Sequence, residues 1–451
     1  SPSPSAAAAT ADIDALRREM NALRQDYEAR LRALEQRLQA AESRTATAPA
    51  TPVAAAPAAP AAPAAPAAPT APAAPAAPTT ASANTFNPAV SLVLSGGYTH
   101  TQADPESWRL AGFQVPADGE LGPGERGFGL GETELTFSAS VDPFWRGAVT
   151  LAVHEEIEVE EAYVQTTALG HGLSLKAGRF FSGIGYLNGK HAHAWDFIDN
   201  PLAYQALLGT QYGDDGLQLR WIAPTDQYLE FGLELARGDG FPGAFGGRHG
   251  AGMVAATAHT GGDWGDSHAW QAGLSAMQVR ADGLELLGTA ADGSDLASAF
   301  SGRTRLWVAD AVWKWAPGGN ASRTSLTVQG EYLHSRRTGE LTPEGADAAA
   351  YASTQSGWYV QGLYQFLPGW RVGLRTERLD AGTPGYGANA GLYALAGRDP
   401  SRHSLLLERA TSEFARLRLQ LAQDRSRDGV NDTQVMLQYQ MSLGAHGAHG
   451  F

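Results

Sequence analysis

The sequence contains no cysteine, which excludes disulfide bonds and metal sites built from thiolates. It has no run of about 18 apolar residues, which excludes a membrane-spanning helix. No basic segment precedes an apolar one at residue 1, so we expect the chain to be the mature, processed form. Catalytic motifs such as Gly-x-Ser-x-Gly and His-Glu-x-x-His are also missing, which favours a protein that is not an enzyme.

Basic residues are fewer than acidic residues, which gives the chain a net charge of -14. Residues 11–44 hold seven residues of each sign; removing these from 47 acidic and 33 basic residues leaves 40 and 26 for residues 86–451. This acidic balance argues against nucleic acid as a partner. A channel lined in the same proportion would favour cations.

Residues 86–451 show a recurring alternation of apolar and polar side chains. At the chain end, Val435, Leu437 and Tyr439 alternate with glutamines, and the sequence closes on the aromatic Phe451. Period-two alternation predicts strands. A half-buried strand of a soluble sandwich has the same pattern, but its repetition over this length favours a membrane barrel with an apolar outside and a wet lumen.

We therefore predict an all-β transmembrane barrel of about 16 antiparallel strands, with Phe451 as its C-terminal barrel signal. Turn-forming residues predict short turns at 142–143, 168–172, 223–226, 261–267, 316–322, 367–369 and 410–412. Long connections are predicted at 101–125, 183–214, 238–251, 281–302, 336–355 and 381–401. Aromatic residues near strand ends resemble an interfacial girdle: Trp145, Trp221, Trp315, Phe366 and Trp370.

Three further segments precede the barrel. Residues 1–10 are predicted to be a disordered start, and residues 11–44 an α-helical coiled coil in the periplasm, with an apolar seam that begins Ile13, Leu16, Met20. A single amphipathic helix lying on another surface is the alternative. Residues 45–85 are almost only Ala, Pro and Thr, which predicts a disordered, semi-stiff linker.

This organisation predicts the partners and the location. We expect the cell outer membrane of a Gram-negative bacterium, with contact to lipid and lipopolysaccharide and with the coiled coil in the periplasm. The narrow apolar seam of residues 11–44 favours self-association, and a homotrimer is the expected state. Peptidoglycan or another periplasmic partner is the expected target of the coiled coil.

The connection 183–214 is the long loop expected to fold inward as a constriction, with Lys190, His191, His193, Asp196 and Asp199 at the pore. His191, His193 and Asp196 offer imidazole and carboxylate ligands suited to a weakly bound divalent metal such as zinc. An ordinary hydrogen-bonded loop is the other interpretation. No other cofactor is expected.

Charged residues of both signs are predicted to face the lumen. The acidic run 154–161 would collect divalent cations before entry or simply repel anions from the surface. His446 and His449, near the chain end, would either form a weak metal site or simply be exposed to solvent. The lumen-facing set is Glu134, Glu161, Lys176, Arg220, Glu230, Arg416 and Arg418.

Several segments resemble a family of Gram-negative outer-membrane proteins that are often labelled zinc-regulated receptors of the TonB-dependent class. The overall plan, a periplasmic coil followed by sixteen strands, is similar to the phosphate-selective porin O/P group. The second resemblance implies trimers with an anion-selective pore; the acidic balance of this chain departs from that pattern. The segments include Glu160-Glu-Ala-Tyr-Val-Gln-Thr, Lys176-Ala-Gly-Arg-Phe-Phe-Ser-Gly-Ile-Gly-Tyr-Leu-Asn and His191-Ala-His-Ala-Trp-Asp-Phe.

The leading hypothesis is a passive porin that favours cations, including divalent metal ions such as zinc. A tether between the outer membrane and the cell wall, with the barrel as its anchor, is a second hypothesis. An anion porin of the phosphate type is a third. An active metal receptor is the least favoured, because such receptors have about 22 strands and a plug domain.

Overall fold

The computed structural model describes residues 88–119, 121–153 and 157–444. The predicted disordered start, coiled coil and linker, and also Phe451, His446 and His449, lie outside these residues. Among the described residues, no helix has both the length and the apolar character needed to cross a membrane.

Alternating sequence segments form eighteen strands in one antiparallel sheet. Two of them, β2 (Val115–Pro116) and β3 (Gly127–Leu130), are short pieces of the first long connection. The other sixteen are β1 (Ala89–Thr101), β4 (Thr133–Ser140), β5 (Trp145–Val153), β6 (Ile157–Thr166), β7 (Leu173–Phe181), β8 (Gly213–Ile222), β9 (Tyr228–Ala236), β10 (Met253–Trp264), β11 (His268–Thr289), β12 (Asp295–Trp315), β13 (Ser325–Pro343), β14 (Ala349–Leu367), β15 (Trp370–Asp380), β16 (Ser401–Ser412), β17 (Ala415–Asp424) and β18 (Asp432–Gly444).

These sixteen strands close into a barrel. Each pairs with its sequence neighbour, and β1 closes the sheet by pairing with β18 on one side and with β4 on the other. Leu94 lies opposite Met441 at the first of these joints, and Val93 lies opposite Glu134 at the second. Closure leaves the sheet without a free edge, which is what a strand-built membrane protein requires. The predicted strand number is confirmed.

The two faces of the barrel differ as the alternation predicts. Large apolar side chains are exposed on the outside, whereas Gln, Ser, Thr and charged side chains are buried on the inside. On β18, Leu437 and Tyr439 are exposed outward, while Gln434 and Gln440 are buried inward. An apolar exterior around a polar interior is typical of barrels that cross an outer membrane.

One end of the barrel carries the short turns, and local chemistry explains two of them. Asp142 Oδ1 accepts hydrogen bonds from the N–H groups of Phe144 and Trp145 at 2.7 and 2.9 Å, an Asx turn that joins β4 to β5. Gly369 turns β14 into β15 with a φ of 71°, where a Cβ would lie 2.5 Å from the carbonyl oxygen of Ala410. Six of the predicted short turns overlap connections between strands, and the one predicted at 410–412 lies at 413–414 instead.

At the opposite end, two predicted long loops are wrong. Residues 281–302 and 336–355 are mostly strand, and their connections shrink to residues 290–294 and 344–348. The strands β11 and β12 have 22 and 21 residues, and β13 and β14 have 19 each. A membrane crossing takes about 9–11 residues, so these strands continue well beyond it. The alternation reverses in these extensions, because polar residues such as Glu285 are exposed on the outer face, whereas Leu286 and Phe300 are buried inside. A search for apolar outward faces therefore does not find them.

Candidate functional site

The connection between β7 and β8, residues 182–212 (the inner loop), lies within the barrel. Its one α-helix, α1 (Leu202–Leu208), has every residue buried. Pro201 precedes this helix, and Gly209 ends it with a φ of 63°, the left-handed conformation that closes many helices. The predicted inward-folding connection is therefore present.

Apolar side chains of the inner loop form a core inside the barrel. The first loop, residues 102–126, adds Trp108, Leu110 and Phe113 to the same core. The inner faces of β10 to β13 supply Met253, Met277, Leu306, Val308 and Leu333. Burying a single Leu or Phe side chain stabilises a fold by about 1.5–3 kcal/mol. The inner loop is therefore a packed element rather than a solvated connection.

Buried carboxylates of the barrel wall hold the backbone of the inner loop. Glu331 on β13 accepts from two backbone N–H groups at 3.0 Å and from two tyrosine hydroxyls. Glu234 and Glu377 bind the loop in the same way near its start and at the beginning of α1. The backbone donors are Gly183 (2.8 Å), Tyr186, Leu187 and Leu202 (2.6 Å).

On one side of the lumen, two histidines of the inner loop meet carboxylates of β4 and β6. His191 Nδ1 lies 3.1 Å from Glu160 Oε2 and 3.3 Å from Glu134 Oε2, and its Nε2 lies 3.0 Å from Glu161 Oε2. His193 Nδ1 lies 2.5 Å from Glu134 Oε1. We name this group, together with Glu132, the His–Glu cluster: Glu132, Glu134, Glu160, Glu161, His191 and His193.

A β-bulge explains how consecutive residues enter this cluster. In the pairing of β5 with β6, Thr150 lies opposite Glu161 and Leu151 opposite Val159, so Glu160 is the extra residue. Strict alternation would point Glu160 toward lipid, and bulges re-aim side chains in this way. Sequence reasoning placed Glu160 in the acidic run 154–161 at an outer loop and not with the histidines; two adjacent carboxylates inside a membrane strand are the signal that would have placed it here.

The pKa of the His191 side chain reflects this setting. Burial lowers the pKa of the imidazole, but hydrogen bonds to Glu160 and Glu161 and the charge of Glu134 outweigh burial. The pKa therefore lies well above its ordinary value. The carboxylates of the cluster therefore stabilise the protonated, positively charged form of the His191 ring.

On the other side of the joint between β1 and β18, the two aspartates of the inner loop meet arginines of β15 and β16. Asp199 pairs with Arg375 and Arg402, at 2.5 and 2.7 Å, and Asp196 lies 3.5 Å from Arg371. Although burial raises the pKa of Asp199, the two guanidinium charges outweigh it and hold the pKa at about 2. The three arginines of β15 and β16 and two more on β17 are named the arginine cluster: Arg371, Arg375, Arg402, Arg416 and Arg418.

The predicted pore residues are therefore divided between two walls. His191 and His193 lie with carboxylates, whereas Asp196 and Asp199 lie with arginines, so the predicted metal set of His191, His193 and Asp196 is not assembled. The chain turns between these residues, and sequence proximity does not show to which wall each side chain points. Lys190 takes part in neither group, because its ammonium lies 3.5 Å from the ring centroid of Tyr186. Burial lowers the pKa of Lys190 to about 8, although Asp196 opposes this.

The charged residues that the sequence assigns to the lumen pair with one another, with aromatic rings or with the inner loop. Arg220 binds Glu230 across β8 and β9, and the Lys176 ammonium lies 4.3 Å from the ring centroid of Tyr163. Arg418 donates to the backbone carbonyl of Trp195 at 2.7 Å, and Arg416 donates to that of His193. Arginine side chains of the wall thus also hold the inner loop. Of the acidic run 154–161, residues 157–161 belong to β6, and residues 154–156 lie outside the described part.

Beside the His–Glu cluster is a cavity of about 1130 Å³. It extends from His191 and Glu161 to Asp226 and Gln227, in the short turn between β8 and β9. Five carboxylates, two basic side chains and two histidines, His191 and His259, line it, so negative groups outnumber positive ones. The acidic set is Glu161, Asp226, Glu230, Glu234 and Asp263, and the basic set is Lys176 and Arg220.

Comparison with known proteins gives one relative in sequence and several in structure. No family model matches the chain. An uncharacterized protein of Aquifex aeolicus is 28% identical over 400 residues, which cover 82% of this chain and 81% of that protein. The label of a TonB-dependent receptor finds no support in these comparisons.

The solved structures that match include porins, an outer-membrane channel and another outer-membrane protein. The channel DcaP of Acinetobacter baumannii has a TM-score of 0.47 at 12% identity, covering 79% of this chain and 97% of that one. OmpT of Vibrio cholerae, in a trimer form, has a TM-score of 0.46 at 13% identity, covering 78% and 99%. OprB of Pseudomonas putida has a TM-score of 0.43 at 13% identity, covering 79% and 94%.

Proposed function

We propose that this chain is an outer-membrane porin for the passive diffusion of small solutes, with a preference for cations that includes divalent metal ions such as zinc. The observation that carries the proposal is the polar cavity, which runs from the inner loop to the short-turn end inside a closed barrel with an apolar exterior. A cavity with this lining offers water-soluble ions a favourable path.

The preference for cations is supported by the balance of the lining. Five carboxylates against two basic groups give the cavity a negative potential, which raises the local concentration of cations. The inner loop is the filter in this proposal, because it separates the cavity from the arginine cluster. A bound ion must be held weakly enough to leave, so conduction requires exchangeable ligands.

The arginine cluster supports a second candidate, an anion porin of the phosphate type. Arginine binds phosphate through two parallel hydrogen bonds, and the five members of the arginine cluster lie on β15 to β17. In the structure, however, carboxylates and backbone carbonyls already occupy much of their donor capacity. We therefore place anion selectivity second.

Reversal potential in a planar bilayer separates the candidates. The purified full chain would be measured under a KCl gradient, before and after zinc is added. We expect a cation-selective potential that zinc shifts or blocks. An anion-selective potential would replace this proposal with the phosphate-type porin. An absence of conductance would favour the tether between the outer membrane and the cell wall. In that case, cells with a chain that lacks residues 1–84 should show defects in membrane attachment while their permeability stays normal.

The wider assignment belongs to the same proposal. We place the barrel in the outer membrane of a Gram-negative bacterium, in contact with lipid and lipopolysaccharide. A homotrimer, a periplasmic coiled coil at residues 11–44 and a peptidoglycan or periplasmic partner remain predictions from the sequence. An active receptor is not proposed, because the described barrel has sixteen strands and TonB-dependent transporters have about 22.

A further inference from the structure

The His–Glu cluster contains more carboxylate oxygen than its own hydrogen bonds use. Glu134 is 1% exposed, and its Oε2 is buried without a hydrogen-bond partner among the described residues. Glu132 Oε1 is likewise buried without a hydrogen-bond partner among the described residues. A buried carboxylate is costly unless it is paired or binds a metal, and Glu134 Oε2 lies 3.3 Å from its polar neighbour His191 Nδ1. This long contact leaves room for a cation between the two groups.

The positions of the nitrogen and oxygen atoms fit one particular cation. His191 Nδ1 and one carboxylate oxygen each from Glu134 and Glu160 all lie within 4.8 Å of one another. Imidazole nitrogen combined with carboxylate oxygen is a donor set for divalent transition-metal ions such as Zn²⁺ and Mn²⁺. Mg²⁺ and Ca²⁺ prefer oxygen ligands alone.

We propose that His191 Nδ1, Glu134 Oε2 and Glu160 Oε2 form a binding site for a divalent transition-metal ion. Three protein ligands leave further coordination positions for water, and His191 borders the cavity, so the ion has a route of exchange. The proposal deepens the proposed cation-selective porin and depends on it for that route.

The remaining members of the cluster orient these ligands. The metal ion replaces the proton on Nδ1, which is released to solvent. His191 keeps its Nε2–H and donates it to Glu161 Oε2 at 3.0 Å, which fixes the tautomer and the ring. His193 Nδ1 donates to Glu134 Oε1 at 2.5 Å, which turns Oε2 toward the ion. Glu161 and His193 are positioning residues in this arrangement.

A metal at this position joins three elements. Glu134 belongs to β4, Glu160 is the bulged residue of β6, and His191 belongs to the inner loop. The bulge supplies the third ligand, because regular pairing would point Glu160 outward. A bound ion therefore attaches the inner loop to the wall of the barrel.

Isothermal titration of the full chain in detergent, after treatment with EDTA and its removal, tests the site without any measurement of conductance. We expect one Zn²⁺ per chain at this site, and much weaker binding of Mg²⁺. Glu160→Gln keeps the side-chain shape and should weaken Zn²⁺ binding at least tenfold. Glu161→Gln should weaken it by about 10–100-fold, the range typical of a residue that orients a ligand.

Two control variants locate the binding. His403→Ala removes a histidine on the outer face of β16, and His446→Ala with His449→Ala removes the two near the chain end; both should leave Zn²⁺ affinity unchanged. Heat-modified migration in electrophoresis confirms that each variant is folded. Co²⁺ absorption of the wild type and of Glu160→Gln adds a spectroscopic readout of the ligands.

The proposal is overturned if Zn²⁺ binds no better than Mg²⁺, or if Glu160→Gln and His191→Ala leave binding unchanged. Loss of binding in the chain-end variant would overturn it as well. A chain that conducts cations but does not bind Zn²⁺ would contradict this site and leave the porin intact. A chain that binds Zn²⁺ through Glu160 without conducting would contradict the porin and support the site.

Discussion

The inner loop is held between two walls that use charge in opposite ways. At the arginine cluster, each loop aspartate meets a guanidinium, and Arg375 and Arg402 share Glu377 as a second partner. At the His–Glu cluster, four carboxylates surround two imidazoles, and two of their oxygens have no hydrogen-bond partner among the described residues. One wall is neutralised by the protein itself, whereas the other has room for an added cation.

The order of residues along the inner loop brings its two histidines to one wall and its two aspartates to the other. His191 and His193 precede Asp196 and Asp199 by a few residues, and the loop crosses the lumen between the two pairs. Buried ion pairs tolerate little change, because removing one partner leaves the other unpaired. We therefore expect the arginine wall to determine stability and the carboxylate wall to determine which ions the chain binds.

The largest effect is expected at Arg402, which is 1% exposed. Arg402→Ala leaves Asp199 and Glu377 with one buried guanidinium fewer, and it should lower the free energy of unfolding by about 3–5 kcal/mol. Urea unfolding in lipid vesicles, followed by tryptophan fluorescence, measures this change. A loss below about 1 kcal/mol would show that the arginine wall is not what holds the inner loop.

A smaller effect is expected at Glu331, which lies on β13, outside both walls. Glu331→Gln exchanges one acceptor oxygen for an N–H₂ group that faces donors, and should cost about 1–3 kcal/mol of unfolding free energy. The same unfolding measurement applies, and a less firmly held loop should also make single-channel currents noisier. Glu340→Gln, at an exposed position of the same strand, is the matched control. Equal effects of the two substitutions would contradict the anchoring role of Glu331.

The barrel itself was within reach of sequence reasoning. Lipid contact favours apolar side chains at every second residue of a strand. The positions of Leu419, Leu421 and Leu437 therefore predict which face of β17 and of β18 points outward. The extensions of β11 to β14 beyond lipid carry no such selection, and the prediction of loops at 281–302 and 336–355 was wrong for this reason.

The candidate site was predicted only in part. The sequence proposed His191 and His193 as candidate ligands and Glu134 and Glu161 as candidate lumen charges, but it did not bring these two sets together. Their contact depends on the path of the inner loop across the lumen, which local pattern does not encode. Glu160 was missed because a bulge changes the facing of one residue without changing the alternation around it.

Ion selectivity should respond to the two walls with opposite signs. Glu161→Gln removes a carboxylate from the cavity and should reduce the preference for cations, whereas Arg371→Gln should increase it. Each change in permeability ratio should stay below tenfold, since tenfold requires about 1.4 kcal/mol. Reversal potentials in KCl with EDTA measure both variants. Shifts of the same sign would contradict the division into two walls.

The smallest effect is expected at an exposed pair on the same strands as the arginine cluster. Arg378 lies 2.8 Å from Asp399, and the two side chains are 60% and 37% exposed. Arg378→Ala should cost no more than about 1 kcal/mol of unfolding free energy, because water and salt screen an exposed pair. A double-mutant cycle with Asp399→Ala isolates the pair, and its coupling should fall further as salt is raised. Arg378 and Arg402 lie on neighbouring strands and differ mainly in burial. A coupling above about 2 kcal/mol would therefore show that burial is not what makes the arginine wall stabilising.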